Sequence, residues 1–208
     1  AQDMARYRNY HVLLCNTYES QQEELRTLQS LAGQGVDGMI MFPGFYTGNN
    51  LEIFAEQFRP LVLVNHRFEH PNVGLVLTKN YEGAQMAVDY LIEQGHRQIG
   101  MVAGRELSTQ RGQRVRGYYD TLTAHGLPLV ENHILGGSPT LESGYEIALQ
   151  LFAQAPELTA IFAYNDLMAL GVIKACRERG RRVPEDCAVI GFDDTVFASL
   201  VTPPLTTI

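Results

Sequence analysis

The chain has 208 residues and a formal net charge of −7, with 45% hydrophobic and 19% charged residues. That is the composition of a globular protein long enough for one large domain or two small lobes. No apolar run approaches the roughly 20 residues needed to span a bilayer, and no basic segment followed by an apolar one opens the chain as a secretory signal would. Lysine occurs only at Lys79 and Lys174. An acidic chain without a basic stripe has little affinity of its own for nucleic acid, because neutralising phosphates supplies most non-specific binding.

In chain order, strand and helix patterns alternate. His11–Asn16 (H-V-L-L-C-N) reads as a buried strand. Ser20 to Glu23 form a capping box, after which Leu25, Leu28 and Ala32 fall at helical spacing until Gly33 and Gly35 stop the helix. Asp37–Phe42 is a second strand, ending at Pro43-Gly44. Asn50 is placed to cap a short helix toward Phe58, and Pro60 precedes a third strand, Leu61–Asn65; Gly74–Leu77 makes a fourth. Asn80 is a good helix cap, and Ala84, Ala87, Val88 and Leu91 then define one helical face, ended by Gly95. Gln98–Ala103 is a strand, and a helix from Ser108 to His125 presents Val115, Tyr118 and Leu122 before Gly126 stops it. A short strand spans His133–Leu135. Thr140 opens a helix aligning Tyr145, Ala148, Leu149 and Phe152. Strand Thr159–Tyr164, helix Leu167–Arg179 with Gly180 after it, and strand Cys187–Phe192 complete the pattern.

Repeated βα units imply an α/β fold with parallel sheets covered by helices on both faces. Two consecutive apolar runs end in polar pairs, Asn165-Asp166 and Asp193-Asp194. Successive units therefore deliver polar side chains to the same strand edge, which is where open α/β sheets bind ligands.

The most specific signals are A-I-F-A-Y-N-D-L-M-A-L-G (160–171), R-V-P-E-D-C-A-V-I-G-F-D-D (182–194) and T-P-P-L-T-T-I (202–208). To these are added G-V-D-G-M-I-M-F-P (35–43), L-V-L-V-N-H-R (61–67), Y-L-I-E-Q-G-H-R-Q-I (90–99) and E-S-G-Y (142–145). In this order the set resembles the effector-binding domain of the lactose-repressor/galactose-repressor (LacI/GalR) family of bacterial transcription regulators. The resemblance implies two Rossmann-like lobes of the periplasmic binding protein-like I type. Residues 1–79 would form an incomplete N-terminal lobe, 80–198 the C-terminal lobe, and 199–208 a crossover returning toward the first. It further implies a cytoplasmic homodimer that holds a small effector, a sugar or nucleoside, between its lobes. Operator DNA is bound through a helix-turn-helix domain absent from this chain, and no cofactor, metal, membrane or catalytic residue is involved. The family's hinge helix, first strand, most of its first helix and its final segment also lie outside these residues. On that basis the chain is expected to be a fragment of a longer regulator.

Residue by residue, the resemblance places Asp193 as an acceptor for ligand hydroxyls; a loop acid capping the next turn is the plainer alternative. Asn165 aligns with a pocket position and is equally suited to capping the following helix. Arg111 lies where the family has an arginine that forks onto ligand oxygens. The spacing differs by one residue from R-x-R-L-x-G, so Arg114 is the alternative, although it better matches the family's structural arginine; a solvated surface position is the plainer reading of both. Phe42 is either an apolar wall or a core residue. Asn65 stands where the family usually has Asp, Pro139 where it often has a stacking aromatic, and Tyr164 is a substitute wall. Lys79 replaces a common Asp.

Two rival functions share the fold. A periplasmic sugar-binding protein of an ABC transporter has the same chemistry. An enzyme on a Rossmann-like scaffold lacks support: there is no G-x-G-x-x-G, Walker A or G-x-S-x-G run. His66 and His70 have a metal-compatible spacing on a loop, but one pair makes no site. Cys15, Cys176 and Cys187 sit in apolar patterns without a C-x-x-C pair and read as three small buried residues.

Overall fold

The computed structural model describes residues 2–16, 21–43, 49–58, 60–106 and 108–208. The chain divides into two compact units, Ala1–Thr78 and Lys79–Ile208.

The first unit contains α1 (Gln2–Tyr7), α2 (Gln21–Gly33), β1 (Met39–Met41), α3 (Asn49–Gln57), β2 (Leu61–Val64) and β3 (Val73–Val76). Its three strands are parallel in the order β1-β2-β3, with Met39 opposite Leu61 and Leu61 opposite Val73. Period-two alternation buries Leu61 and Leu63 of β2 more deeply than Val62 and Val64. They pack with Leu28, Met41, Leu51, Phe54 and Phe58. Of the α2 residues at helical spacing, only Leu28 is buried. Ser20 and Gly44 lie outside the described residues.

His11–Asn16 is not a strand. An apolar run becomes one only where a neighbouring strand takes up its backbone N–H and C=O groups. None of the described strands pairs with it, and Leu14 is 95% exposed.

The second unit begins with α4 (Asn80–Glu93), β4 (Ile99–Ala103) and α5 (Thr109–Ala124). A 3₁₀ turn then leads into β5 (Ile134–Gly136), followed by α6 (Leu141–Gln154), β6 (Ala160–Ala163), α7 (Asp166–Glu178) and β7 (Ala188–Gly191). A second 3₁₀ turn (Val196–Ser199) precedes β8 (Thr206–Thr207). The sheet order is β5-β4-β6-β7-β8 and every pairing is parallel. Residues 199–208 fold within this unit, where β8 sets Thr206 opposite Ile190 of β7.

Strand alternation sorts the core into two layers. Ile99, Met101, Ala103, Ala160, Phe162 and Ile190 face α4 and α5, packing on Ala84, Ala87, Val88, Leu91, Tyr118 and Leu122. Val102, Ile161, Ala163 and Val189 face α6 and α7, packing on Ala148, Leu151, Phe152, Met168 and Val172. The helices within each pair touch through their backbones. A Cβ on Gly171 would run into the Leu141 carbonyl and the Tyr145 amide nitrogen, and one on Gly117 into the Tyr81 carbonyl. Gly95, Gly126 and Gly180 adopt positive φ after α4, α5 and α7. In each case the amides of the glycine and of the residue after it bond back to the last helical turn, as a Schellman stop requires.

Asn80 is not a cap. Lys79 holds that position without a side-chain bond, while Asn80 is the buried first residue of α4 and accepts a hydrogen bond from Arg114 Nε at 2.8 Å. Local cap propensity gave way to a partner 34 residues away. Cys176 and Cys187 are buried as expected, whereas Cys15 is exposed because its segment lacks a ladder.

Candidate functional site

Parallel strands end on one edge, so β4, β5, β6 and β7 deliver Gly104, Gly136, Tyr164 and Phe192 to the side where α5, α6 and α7 begin. Side-chain oxygens cap all three helices. Ser108 Oγ accepts from Arg111 N at 3.3 Å, Thr140 Oγ1 from Ser143 N at 3.2 Å, and Asn165 Oδ1 from Met168 N at 2.9 Å. Asn165 therefore caps α7, and its amide nitrogen takes no part in that cap.

Arg114, one turn into α5 and 5% exposed, organises this edge. Its Nε donates to Asn80 Oδ1, its Nη1 to the Tyr164 carbonyl, and its Nη2 to Asp193 Oδ1 at 3.3 Å. The guanidinium lies 3.6 Å from the Phe192 ring centroid and 4.5 Å from that of Tyr164, which offsets part of its desolvation by cation–π attraction. Burial pushes the Arg114 pKa down, while Asp193 and Tyr164 pull it back up. Burial likewise raises the Asp193 carboxyl above the ordinary aspartate range; Arg114 opposes that shift and Asp166 adds to it.

Asp193 caps no turn. The 3₁₀ turn after it is preceded by Thr195, which makes no side-chain cap bond. Asp193 instead has a left-handed backbone, φ 103°, and a side chain 44% exposed. One carboxylate oxygen is held by Arg114 and the other accepts no bond from Arg114.

Arg111 is half-buried three residues before Arg114. Its Nε is shielded from solvent and has no hydrogen-bond partner, and a Cβ on Gly136 would sit 3.6 Å from it. The sequence left two arginines open. Arg114 is the one bound to Asp193, while Arg111 stands by the end of β5 with an unused donor. Tyr164 is half-buried; its ring lies against Gly104, where a Cβ would clash, and its hydroxyl is 3.5 Å from Ser108 Oγ. Pro139 is half-buried in the β5–α6 loop. Arg114, Tyr164 and Asp193 are thus in direct contact, with Asn165, Arg111 and Pro139 on the same strand edge.

Phe42 and Asn65 belong to the first unit, at the ends of β1 and β2. Phe42 is 71% exposed, so it is not a core residue. Asn65 has φ 57°, and its Oδ1 accepts from Thr78 N at 2.9 Å, tying the end of β2 to the segment after β3. His70 pairs with Glu56 at 3.3 Å and stacks on Phe68. Among the described residues no group of three or more His, Cys, Asp or Glu is arranged to hold a metal ion, and no helix is long and apolar enough to cross a membrane.

Sequence reasoning named Asp166 only as half of a polar pair at the strand edge and missed its burial and its partners. It is 0% exposed and accepts hydrogen bonds from Thr195 N, Thr195 Oγ1 and Thr207 Oγ1. A first-turn helix acid gives no local sign of such partners.

A two-unit α/β chain with acceptors and donors gathered at a strand edge is the framework of a ligand-binding domain. In agreement, residues 88–208 match the family model of a periplasmic binding protein-like domain. The HTH-type transcriptional repressor PurR of Pasteurella multocida (strain Pm70) is 34% identical, the match covering 96% of this chain and 60% of that protein. Catabolite control protein A of Priestia megaterium is 36% identical, covering 100% of this chain and 63% of that protein. The chain therefore spans less than two thirds of the length of these relatives. Among solved structures, a sugar-binding transcriptional regulator of the LacI family from Escherichia coli, complexed with phosphate, superposes with a TM-score of 0.86 at 32% identity, covering 99% of this chain and 74% of that one. The transcriptional regulator CelR in complex with cellobiose gives 0.85 at 34% identity, covering 97% and 62%. The chain belongs to the LacI family of transcription regulators. These relatives are regulators, which favours that reading over a transporter component or an enzyme.

Proposed function

We propose that this chain is the effector-sensing part of a cytoplasmic bacterial transcriptional repressor. It binds a sugar or nucleoside, and the whole regulator reaches operator DNA through a helix-turn-helix element. The observation that carries the reading is Asp193, fixed by Arg114 at the strand edge with one carboxylate oxygen turned from that pairing. Carboxylates and guanidinium groups that meet hydroxyls through charge-assisted bonds are the means of orienting polyhydroxylated ligands. Arg111, with an unused donor, Asn165 and the Tyr164 ring complete the set in the second unit, with Pro139 beside them; Phe42 and Asn65 are the candidates within the first unit, at the ends of β1 and β2. That the CelR relative is seen with cellobiose, and a Lactobacillus casei LacI-family regulator with sucrose and with glucose, supports the ligand class.

Calorimetry with cellobiose, sucrose, D-glucose and adenosine tests this. One of them is expected to bind, and Asp193→Ala is expected to weaken it by about 1.5–3 kcal/mol, the usual loss for a charged hydrogen bond. Unchanged affinity in Asp193→Ala would show that the pocket has been misplaced.

The regulator is a homodimer in this reading, and the second copy docks on the 3₁₀ turn after β7. Val196 and Leu200 stand 68% and 71% exposed there beside Phe197, a density of apolar surface that a second copy of the same patch would cover. Phe197→Asp is expected to yield monomers in sedimentation velocity; a wild-type chain that is already monomeric at high concentration would refute the surface.

A further inference from the structure

Asp166 has no part in the contacts proposed above, yet it is fully buried and its carboxylate joins three segments. Oδ2 accepts from Thr195 N at 2.6 Å and Thr195 Oγ1 at 2.9 Å, and Oδ1 from Thr207 Oγ1 at 2.6 Å. Thr207 Oγ1 in turn accepts from Asp194 N at 3.3 Å, and Asp193 N donates to the Ile208 carbonyl at 2.8 Å. The start of α7, the loop after β7 and strand β8 therefore meet on one side chain. Enclosed between these bonds are Asp193 and Asp194, φ 103° and 45°, two consecutive residues in a backbone region that favours glycine. Such a pair persists only where surrounding contacts over-determine it. The fit is close: a Cβ on Gly191 would collide with Asp166 Oδ1.

We propose that Asp166 is a positioning residue. Through Thr195 and Thr207 it clasps the Asp193–Asp194 turn in the conformation that presents the Asp193 carboxylate, and it links that turn to β8. The clasp rests on the proposed ligand site only for what Asp193 is presented to. Asparagine at position 166 keeps the size but removes the negative charge and one of the two acceptor oxygens; even if the Thr207 hydroxyl turns to accept from the new NH2 group, the charge-assisted bonds are lost, so Asp166→Asn loosens the turn without creating a cavity.

Hydrogen exchange on the full chain, without any sugar, reads the clasp directly. Asp166→Asn and Thr207→Val are each expected to lower protection at the amides of 193–195 by roughly tenfold or more, the loss of one charge-assisted bond. Amides of β4 and α5 should be unaffected, and Thr207→Ser, which keeps the hydroxyl, should exchange like wild type. Unchanged protection at 193–195 in both variants, or loss spread evenly into β4 and α5, overturns the proposal. A second arm measures cellobiose, sucrose and D-glucose binding in Asp166→Asn, Asp193→Ala and the double variant. The weakening caused by Asp166→Asn should vanish once Asp193 is alanine; equal weakening in both backgrounds overturns the positioning role. Should none of the three sugars bind wild type, the sugar branch of the proposed function fails, and the exchange arm still decides the clasp.

Discussion

Replacing Arg114 by methionine keeps an unbranched stem against Phe192 and deletes the guanidinium. Three acceptors then lose their donor. Asn80 is 3% exposed, so its Oδ1 loses a charged donor in the interior, a bond of about 1.5–3 kcal/mol. The Tyr164 carbonyl loses a charged donor, a bond of about 1.5–3 kcal/mol. Asp193 is nearly half exposed and rehydrates, so it adds little. Removing a buried, desolvated cation returns part of this, which brings the net destabilisation to about 3 kcal/mol and places it with other buried pairs broken from one side. Urea unfolding followed by far-UV circular dichroism measures it. Arg116→Met, at a side chain 76% exposed that pairs with nearby Asp120 and lies 5.4 Å from the Tyr81 ring centroid, serves as the control and should change stability by less than about 0.5 kcal/mol. An Arg114→Met loss below about 1 kcal/mol would refute the assignment of Arg114 as the organiser of this edge.

Binding of whichever sugar is found should weaken on acidification sooner than an ordinary aspartate dictates. In the proposed site Asp193 accepts hydroxyls as a carboxylate, and burial raises its pKa above 3.8; affinity that stays flat until the pH is below 3.8 counts against that role. The same shift has the opposite sign for folding: the contribution of Asp193 to stability is present below its unfolded pKa and declines as pH rises through the raised folded value. Gly171→Ala should destabilise by at least about 1–3 kcal/mol in chemical denaturation, because its Cβ meets the α6 backbone. Gly112→Ala, with open space around it on α5, should be neutral or stabilising by up to about 1 kcal/mol, and similar losses for both would contradict the packing. In iodoacetamide labelling read by mass spectrometry, Cys15 should react in the native chain and Cys176 and Cys187 only in denaturant. Proximity to Cys176 and burial also hold the Cys187 thiol well above its usual pKa, so native labelling of Cys187 would speak against this core.

The sequence reading of helices and strands held wherever periodicity and a stop signal coincided. Ala84, Ala87, Val88 and Leu91 of α4 are all buried, and the glycines after α4, α5 and α7 end them as read. It failed where the deciding partner is distant in sequence. Asn80 looks like a cap until Arg114 is brought against it, and Cys15 looks buried until its strand is seen to lack a neighbour. The strand edge itself was legible, since βα alternation fixes which ends of the strands carry Asn165 and Asp193. The division of labour between Arg111 and Arg114 was not, because three residues on a helix nearly superimpose two long side chains and only the positions of Asn80, Tyr164 and Asp193 separate them. The role of Asp166 was hidden for the same reason: its threonine partners lie 29 and 41 residues further on.

Among the described residues, the sheet of the first unit keeps an unpaired ladder on the outer side of both β1 and β3, and Val76, Leu75 and the apolar 12–14 segment stand exposed beside polar neighbours. Such margins template further chains. Edge-to-edge pairing through β1 or β3 would therefore be independent of the contact proposed at Phe197. Val76→Lys is expected to block that pairing while leaving the proposed dimer intact, and Phe197→Asp to do the reverse.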